Sequence, residues 1–160
     1  MSSTNPAENF WTAWSPRALA LLRIVTGLIY LQEGTAKILH WPHVAKFDSV
    51  QIYSLLGFAG ILDIVGALLL IVGLFTRWTA FILSGEMAFA YFMVFQPRGL
   101  FPVQNGGNDT VLLCFILLYL FFAGGGAYAL DNLRGNTGRD RIKASSERRL
   151  GSAEDVPANE

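Results

Sequence analysis

Three shortages frame this chain of 160 residues. Cysteine is almost missing: Cys114 stands alone, so the sequence offers no internal disulfide and no CxxC pair for thiol redox chemistry or zinc. Charge is scarce, at 15% of residues, where ordinary soluble domains carry about 25%. The charge that is present sums to a formal net of zero, which removes the basic excess that binding to nucleic acid requires, so no nucleic-acid partner is expected. The first sixteen residues hold neither a basic residue nor an apolar run and do not read as a signal peptide.

What fills the space is apolar sequence, 52% of the chain. A bilayer core about 30 Å thick needs about 20 helical residues, and four stretches reach that range. They run from about Arg17 to Leu39, Gly57 to Phe75, Trp78 to Phe95 and Thr110 to Leu130. Arg77 separates the second from the third, which predicts a tight antiparallel hairpin. The fourth stretch carries no charge at all. Core helices of soluble proteins can also be apolar all round. Against that reading, Trp11, Trp14, Trp41 and Trp78 fall at or before the helix ends, where an interfacial aromatic belt places them. There is also too little polar sequence outside the stretches to coat a soluble globule. The expected fold class is all-α, a four-helix transmembrane bundle surrounded by lipid bilayer.

The Lys/Arg distribution sets the expected orientation. Arg17, Arg77 and the tail residues Arg134, Arg139, Arg141, Lys143, Arg148 and Arg149 collect on one side, and only Lys46 and Arg98 on the other. Both termini are therefore expected to be cytoplasmic, in a bacterial inner membrane. The organisation reads as a polar segment over 1–16, a membrane domain over 17–133 and a disordered cytoplasmic tail over 134–160. After the first span, Val44, Phe47, Val50 and Tyr53 recur every three residues behind Pro42, which predicts a short amphipathic interfacial helix. The loop from Phe95 to Thr110 is rich in Pro, Gly and Asn and reads as turns.

The charges inside the spans are the informative feature. The first span holds Arg23, Glu33 and Lys37, the second Asp63 and the third Glu86. Each costs about 2.5–3.5 kcal/mol at the centre of a bilayer on insertion scales, so such groups pair or face the bundle interior. Arg23, Gly27, Tyr30, Gly34 and Lys37 recur at helical spacing and form one stripe. The glycines on it permit close approach of another helix, while Leu21, Ile24, Val25, Leu28 and Ile29 form the opposite face. Glu33 lies one turn before Lys37 and can bridge to it. Depth along the spans predicts an outer cluster of Glu33, Lys37 and Asp63 and an inner pair of Arg23 and Glu86. Two cations then face three carboxylates, so one carboxylate is expected to hold a proton that can serve chemistry. The alternative is architectural: buried ion pairs that fix register and nothing more. His40 and His43 flank Trp41 and Pro42 without a further histidine to complete a metal site, so no metal is expected. Cys114 reads as a small core residue, and Gly124 to Gly126 as a place of close packing or a kink within the last span.

Three segments carry a family resemblance. "LLRIVTGLIYLQEGTAKIL", with Arg23, Gly27, Gly34 and Lys37, "GFAGILDIVGALLLIVGLFTRWTA", and "NGGNDTVLLCFILLYLFFAGGGAYALDNL" together resemble the DoxX family of small four-helix membrane proteins, over about Arg17 to Leu133. Asp63 and Asp109 stand where glutamate is common in that family, and Gly125 and Ala127 where proline and arginine are common. The resemblance implies a link to thiosulfate:quinone oxidoreductase, to quinone detoxification or to complexes managing oxidative and thiol stress.

The reading that follows is a redox-associated inner-membrane protein handling a quinone, as an oxidoreductase subunit or an oxidative-stress factor. Glu86 or Asp63 is the expected proton donor, and Arg23 or Lys37 the stabiliser of a developing anion. Tyr30 and Phe92 are candidates for lining the ring, and Asn105 and Asp109 for further substrate contact. No tightly bound cofactor is expected, quinone being a substrate, so electrons come from a redox-enzyme partner or a soluble reductant. One alternative is a non-enzymatic membrane scaffold for partner enzymes. Another is a proton-coupled transporter, which four helices would build only as a homo-oligomer.

Overall fold

The computed structural model describes residues 6–133. It is all-helical, with no strand among the described residues. Helix α1 (Pro6–Ile38) is followed by a loop, then α2 (Leu55–Val72) and α3 (Thr76–Ala90). Helix α3 continues through a π-turn at Tyr91–Phe95 and a 3-10 turn at Gln96–Arg98. The one-turn helix α4 (Pro102–Asn105) and helix α5 (Asn108–Ala123) complete the order. Two segments, Leu55–Val72 and Thr76–Arg98, are long and apolar enough to cross a membrane, and Asn108–Ala123 is an apolar helix of shorter length.

Local chemistry explains most boundaries. Ser54, in extended backbone, caps α2 by accepting a hydrogen bond from the Gly57 amide at 3.1 Å. Helix α2 stops where Gly73 takes a left-handed conformation. The hairpin is Gly73–Leu74–Phe75, and Arg77, expected to separate the spans, lies in the first turn of α3. The start of α3 is capped from a distance: both Asp131 carboxylate oxygens accept bonds, from the Phe75 and Thr76 amides, each at 2.8 Å. Helix α5 ends seven residues earlier than the apolar sequence suggested, at Ala123 rather than Leu130. Gly124 adopts φ 86°, a conformation that ends a helix, and the chain then folds back so that the Ala127 amide bonds to the Pro16 carbonyl at 2.9 Å. The glycines are a terminator and not a kink within a span.

Two further expectations fail. The segment from Pro42 to Tyr53 forms only a 3-10 turn at Ala45–Phe47, not an amphipathic helix, and Tyr53 is fully exposed. At three residues a step, periodicity matches a 3-10 turn, which is rarely sustained beyond a few residues. The first helix begins at Pro6 and not at about Arg17. The charged tail over 134–160 lies outside the described residues.

Helix α1 packs along α2, and α3 along α5. The core between them is Tyr30, Ala67, Leu70, Ala80, Leu83, Met87, Leu113, Leu117 and Leu120. The outer surface is apolar: Leu21, Leu28, Phe58, Leu68, Phe81, Phe89, Phe115 and Phe122 are all exposed. An apolar surface of that extent is unstable in water and is what a helix bundle presents to lipid. One end of the molecule, the hairpin end, holds Gly73–Phe75, the Arg17 side of α1 and the end of α5. The opposite loop end holds residues 39–54 and 96–107.

Candidate functional site

The stripe read from α1 faces inward as expected. Arg23, Tyr30 and Lys37 are buried, with Gly27 and Gly34 between them, while Leu21, Val25, Leu28 and Ile29 face out. Gly34 explains how α1 and α2 come close enough for charge to pair. A methyl group there would lie 2.9 Å from both the Asp63 Cβ and the Gly60 carbonyl oxygen, so only glycine fits.

At that point Lys37 Nζ donates to Asp63 Oδ2 at 2.6 Å, and Glu33 Oε2 stands 3.3 Å from the same Nζ. The three groups form the outer cluster the sequence suggested. They differ in exposure: the Asp63 side chain is 0% exposed, Lys37 7% and Glu33 42%.

Glu86 corrects the expected layering. It does not pair with Arg23 but joins the outer cluster, where it interacts electrostatically with Asp63 and Lys37. The reason is the hairpin. Asp63 lies about ten residues before it and Glu86 about ten after it, so both sit about 15 Å from the turn at 1.5 Å per residue. Arg23 lies at another level. Its Nη1 donates to the carbonyl oxygens of Leu70 at 2.6 Å and Ile71 at 3.2 Å, in the last turn of α2. Arg23 thus caps the negative end of a helix dipole. Two carboxylate oxygens in the outer cluster, Asp63 Oδ1 and Glu86 Oε2, are buried and receive no hydrogen bond from a donor group. Two neighbouring carboxyl groups with buried oxygens left without donors are a place to store a proton.

The cluster has a neighbour that no sequence pattern announced. Away from the hairpin α2 and α3 part, leaving a groove of about 450 Å³. Its walls are apolar, from Leu55, Phe58 and Leu62 on α2 to Phe89, Met93 and Val94 on α3 and its π-turn. Lys37 and Glu86 are the ionisable groups among its lining residues. Gly85 stands in the wall with open space where a side chain would project. A π-turn at the end of such a wall is a feature often found at functional sites.

The remaining candidates lie elsewhere. Tyr30 is in the core, its hydroxyl donating to the Leu83 carbonyl at 3.4 Å, and is absent from the groove lining. Phe92 is exposed on the outer surface, and Phe89, one helical turn earlier, lines the groove instead. Asn105 organises the loop: its amide nitrogen donates to the Gly99 carbonyl at 2.9 Å, and its oxygen accepts from the Gly107 amide at 2.8 Å. Asp109 is exposed in the first turn of α5, where the helix dipole favours a carboxylate. His43 pairs with Asp48 at 3.0 Å. Cys114 is half-buried against Ser84, whose hydroxyl donates to the Cys114 carbonyl at 2.9 Å. Asp131 was missed; the "LD" near the end of the described chain was its only signal.

Comparison with known proteins places this arrangement. The DoxX family model matches residues 18–96, which hold all five intramembrane charges. An uncharacterized protein of Haemophilus influenzae is 44% identical over 123 residues, covering 74% of this chain and 92% of the relative. An uncharacterized membrane protein of Mycobacterium tuberculosis is 26% identical over 150 residues, covering 82% of this chain and 92% of the relative. No solved structure matches the chain.

Proposed function

This chain belongs to the DoxX family of membrane proteins, and on that premise we propose that it binds a quinone, or a similar lipid-soluble redox molecule, in the groove between α2 and α3. In this reading α1, α2, α3 and α5 form a four-helix bundle embedded in a bacterial inner membrane, with both termini cytoplasmic. The protein then serves as the quinone-handling subunit of an oxidoreductase or as a quinone-linked oxidative-stress factor.

The observation that carries the reading is the groove itself: apolar walls with Lys37 and Glu86 as the ionisable groups in the lining. A quinone has a flat apolar ring, an apolar tail and two carbonyl oxygens. The walls suit ring and tail, and Lys37 and Glu86 offer a cation and a carboxyl to the oxygens. Small-molecule sites are commonly built this way, apolar with a few placed polar groups. Reduction of a quinone to its quinol takes two electrons and two protons. A partner redox enzyme or a soluble reductant supplies the electrons. The cluster supplies protons, and the Lys37 ammonium stabilises negative charge developing on oxygen.

Titration of the purified full-length protein in nanodiscs with decylubiquinone tests this. Saturable binding that weakens at least tenfold in Glu86→Gln supports it. No binding to the wild type, or binding undiminished in Glu86→Gln, overturns it. The scaffold reading makes the buried ion pairs architectural and has the basic tail and the Asn-Gly-Gly loop at 105–107 hold the partners. It predicts stable partner enzymes in pull-downs and no ligand in the groove. Transport by a homo-oligomer predicts solute flux in proteoliposomes.

A further inference from the structure

The ion cluster joins two cavities on different faces of the molecule. At the loop end a pocket of about 220 Å³ is lined by Gln32, Glu33, Pro42, Val44, Lys46 and Phe47, among others. Glu33 is on its wall and half-exposed. From there ionisable groups follow one another inward, Glu33 42% exposed, Lys37 7% and Asp63 0%, to the half-buried Glu86 at the groove. Glu33 Oε2 is 3.3 Å from Lys37 Nζ, and Lys37 Nζ is 2.6 Å from Asp63 Oδ2. Asp63 interacts electrostatically with Glu86 at the same level, Asp63 Oδ1 and Glu86 Oε2 are both buried without a donor, and Glu86 lines the groove. Tyr30 lies beside these groups, but its hydroxyl is engaged with the Leu83 carbonyl. An architectural ion pair needs two members. Here four groups run from a surface pocket that holds Gln32, Glu33 and Lys46 to an apolar groove, and the carboxyl without a salt bridge is the one at the groove.

We propose that Glu33, Lys37, Asp63 and Glu86 form a proton path between the loop-end pocket and the groove, so that protons used or released in the groove exchange with the loop-end face. The proposal rests on the groove being the binding site, and it adds where the protons come from. Each transfer balances. A proton carried by Glu33 bonds to Lys37 Nζ as Nζ gives one of its own to Asp63. Asp63 passes one to Glu86, and Glu86 delivers it to an oxygen of the bound molecule. One proton enters, one leaves, and every group returns to its starting state. The hairpin end offers no such route, because Arg23 there is turned to the α2 carbonyls.

The test is infrared spectroscopy of the full-length protein in liposomes, following the carboxylic-acid band that disappears in Glu86→Gln. On transfer to deuterated buffer this band shifts as its proton exchanges. The expected result is exchange slowed at least tenfold in Glu33→Gln and largely restored in Glu33→Asp. Gln32→Trp, which fills the exposed pocket without touching the cluster, slows exchange as well. Exchange at the wild-type rate in both Glu33→Gln and Gln32→Trp overturns the path. So does exchange slowed by Gly85→Leu alone, which fills the groove, because the proton then enters from that side. Absence of any band assignable to Glu86 overturns it too. Decylubiquinone binding in the same liposomes separates the two claims: a wild type that does not bind the quinone defeats the groove reading and leaves the exchange result standing.

Discussion

The two ends of this bundle use their charged side chains in opposite ways. At the hairpin end, Arg23 and Asp131 bind backbone: one meets the last carbonyls of α2, the other the first amides of α3. At the level of Asp63, side chains bind side chains, and two buried carboxylate oxygens are left without donors. Arg23 and the outer set looked alike in the sequence, as ionisable residues inside apolar stretches, while Asp131 lies just beyond the last of them. The difference teaches that burial of a charge does not by itself mark a site. What marks it is a polar group that the fold leaves unsatisfied and exposes to a cavity.

Substitutions can break this contrast or sharpen it, because the two ends should respond differently in stability and in binding. Lys37→Met has the largest expected effect on stability. It strands Asp63 as an unpaired buried carboxylate, and removing one partner of a buried pair costs about 3–5 kcal/mol. Thermal unfolding in detergent should show it, with Lys37→Met/Asp63→Asn recovering much of the loss. Arg23→Met comes next. It removes charge-assisted bonds to two helix carbonyls, at about 1.5–3 kcal/mol for such a bond. Its groove should still bind decylubiquinone, since Arg23 stands at the other level; lost binding at unchanged stability would contradict the division drawn here. Asp131→Ala should cost about 1 kcal/mol, the usual worth of a helix cap, measured by the same unfolding. Smallest is Gly85→Leu. It adds a strong helix former where there is open space, so stability should hold or rise by up to about 1 kcal/mol, while the groove is filled.

Legibility in the sequence followed the same divide. The inward stripe from Arg23 to Lys37 was readable because helical spacing decides which residues share a face, and its glycines, Gly27 and Gly34, marked a face where another helix could approach. The Glu33–Lys37–Asp63 cluster followed from that stripe together with depth along the spans. Glu86 was misplaced because its depth was counted from span ends guessed by hydropathy, whereas the hairpin at Gly73–Phe75 fixes it directly opposite Asp63. The end of α5 was overrun because Gly124, Gly125 and Gly126 are as apolar as the helix before them, and a left-handed φ leaves no mark in hydropathy. The groove was invisible altogether. It is a space made by the parting of two helices, and Gly85 matters there for what it leaves empty.

The claim that the groove is where this protein binds its ligand rests most directly on Gly85. Decylubiquinone titrated into nanodisc-embedded wild type and Gly85→Leu should give a Kd at least tenfold weaker in the variant, with its melting temperature equal or higher. Equal affinity in the two proteins, with Gly85→Leu folded, would contradict the account.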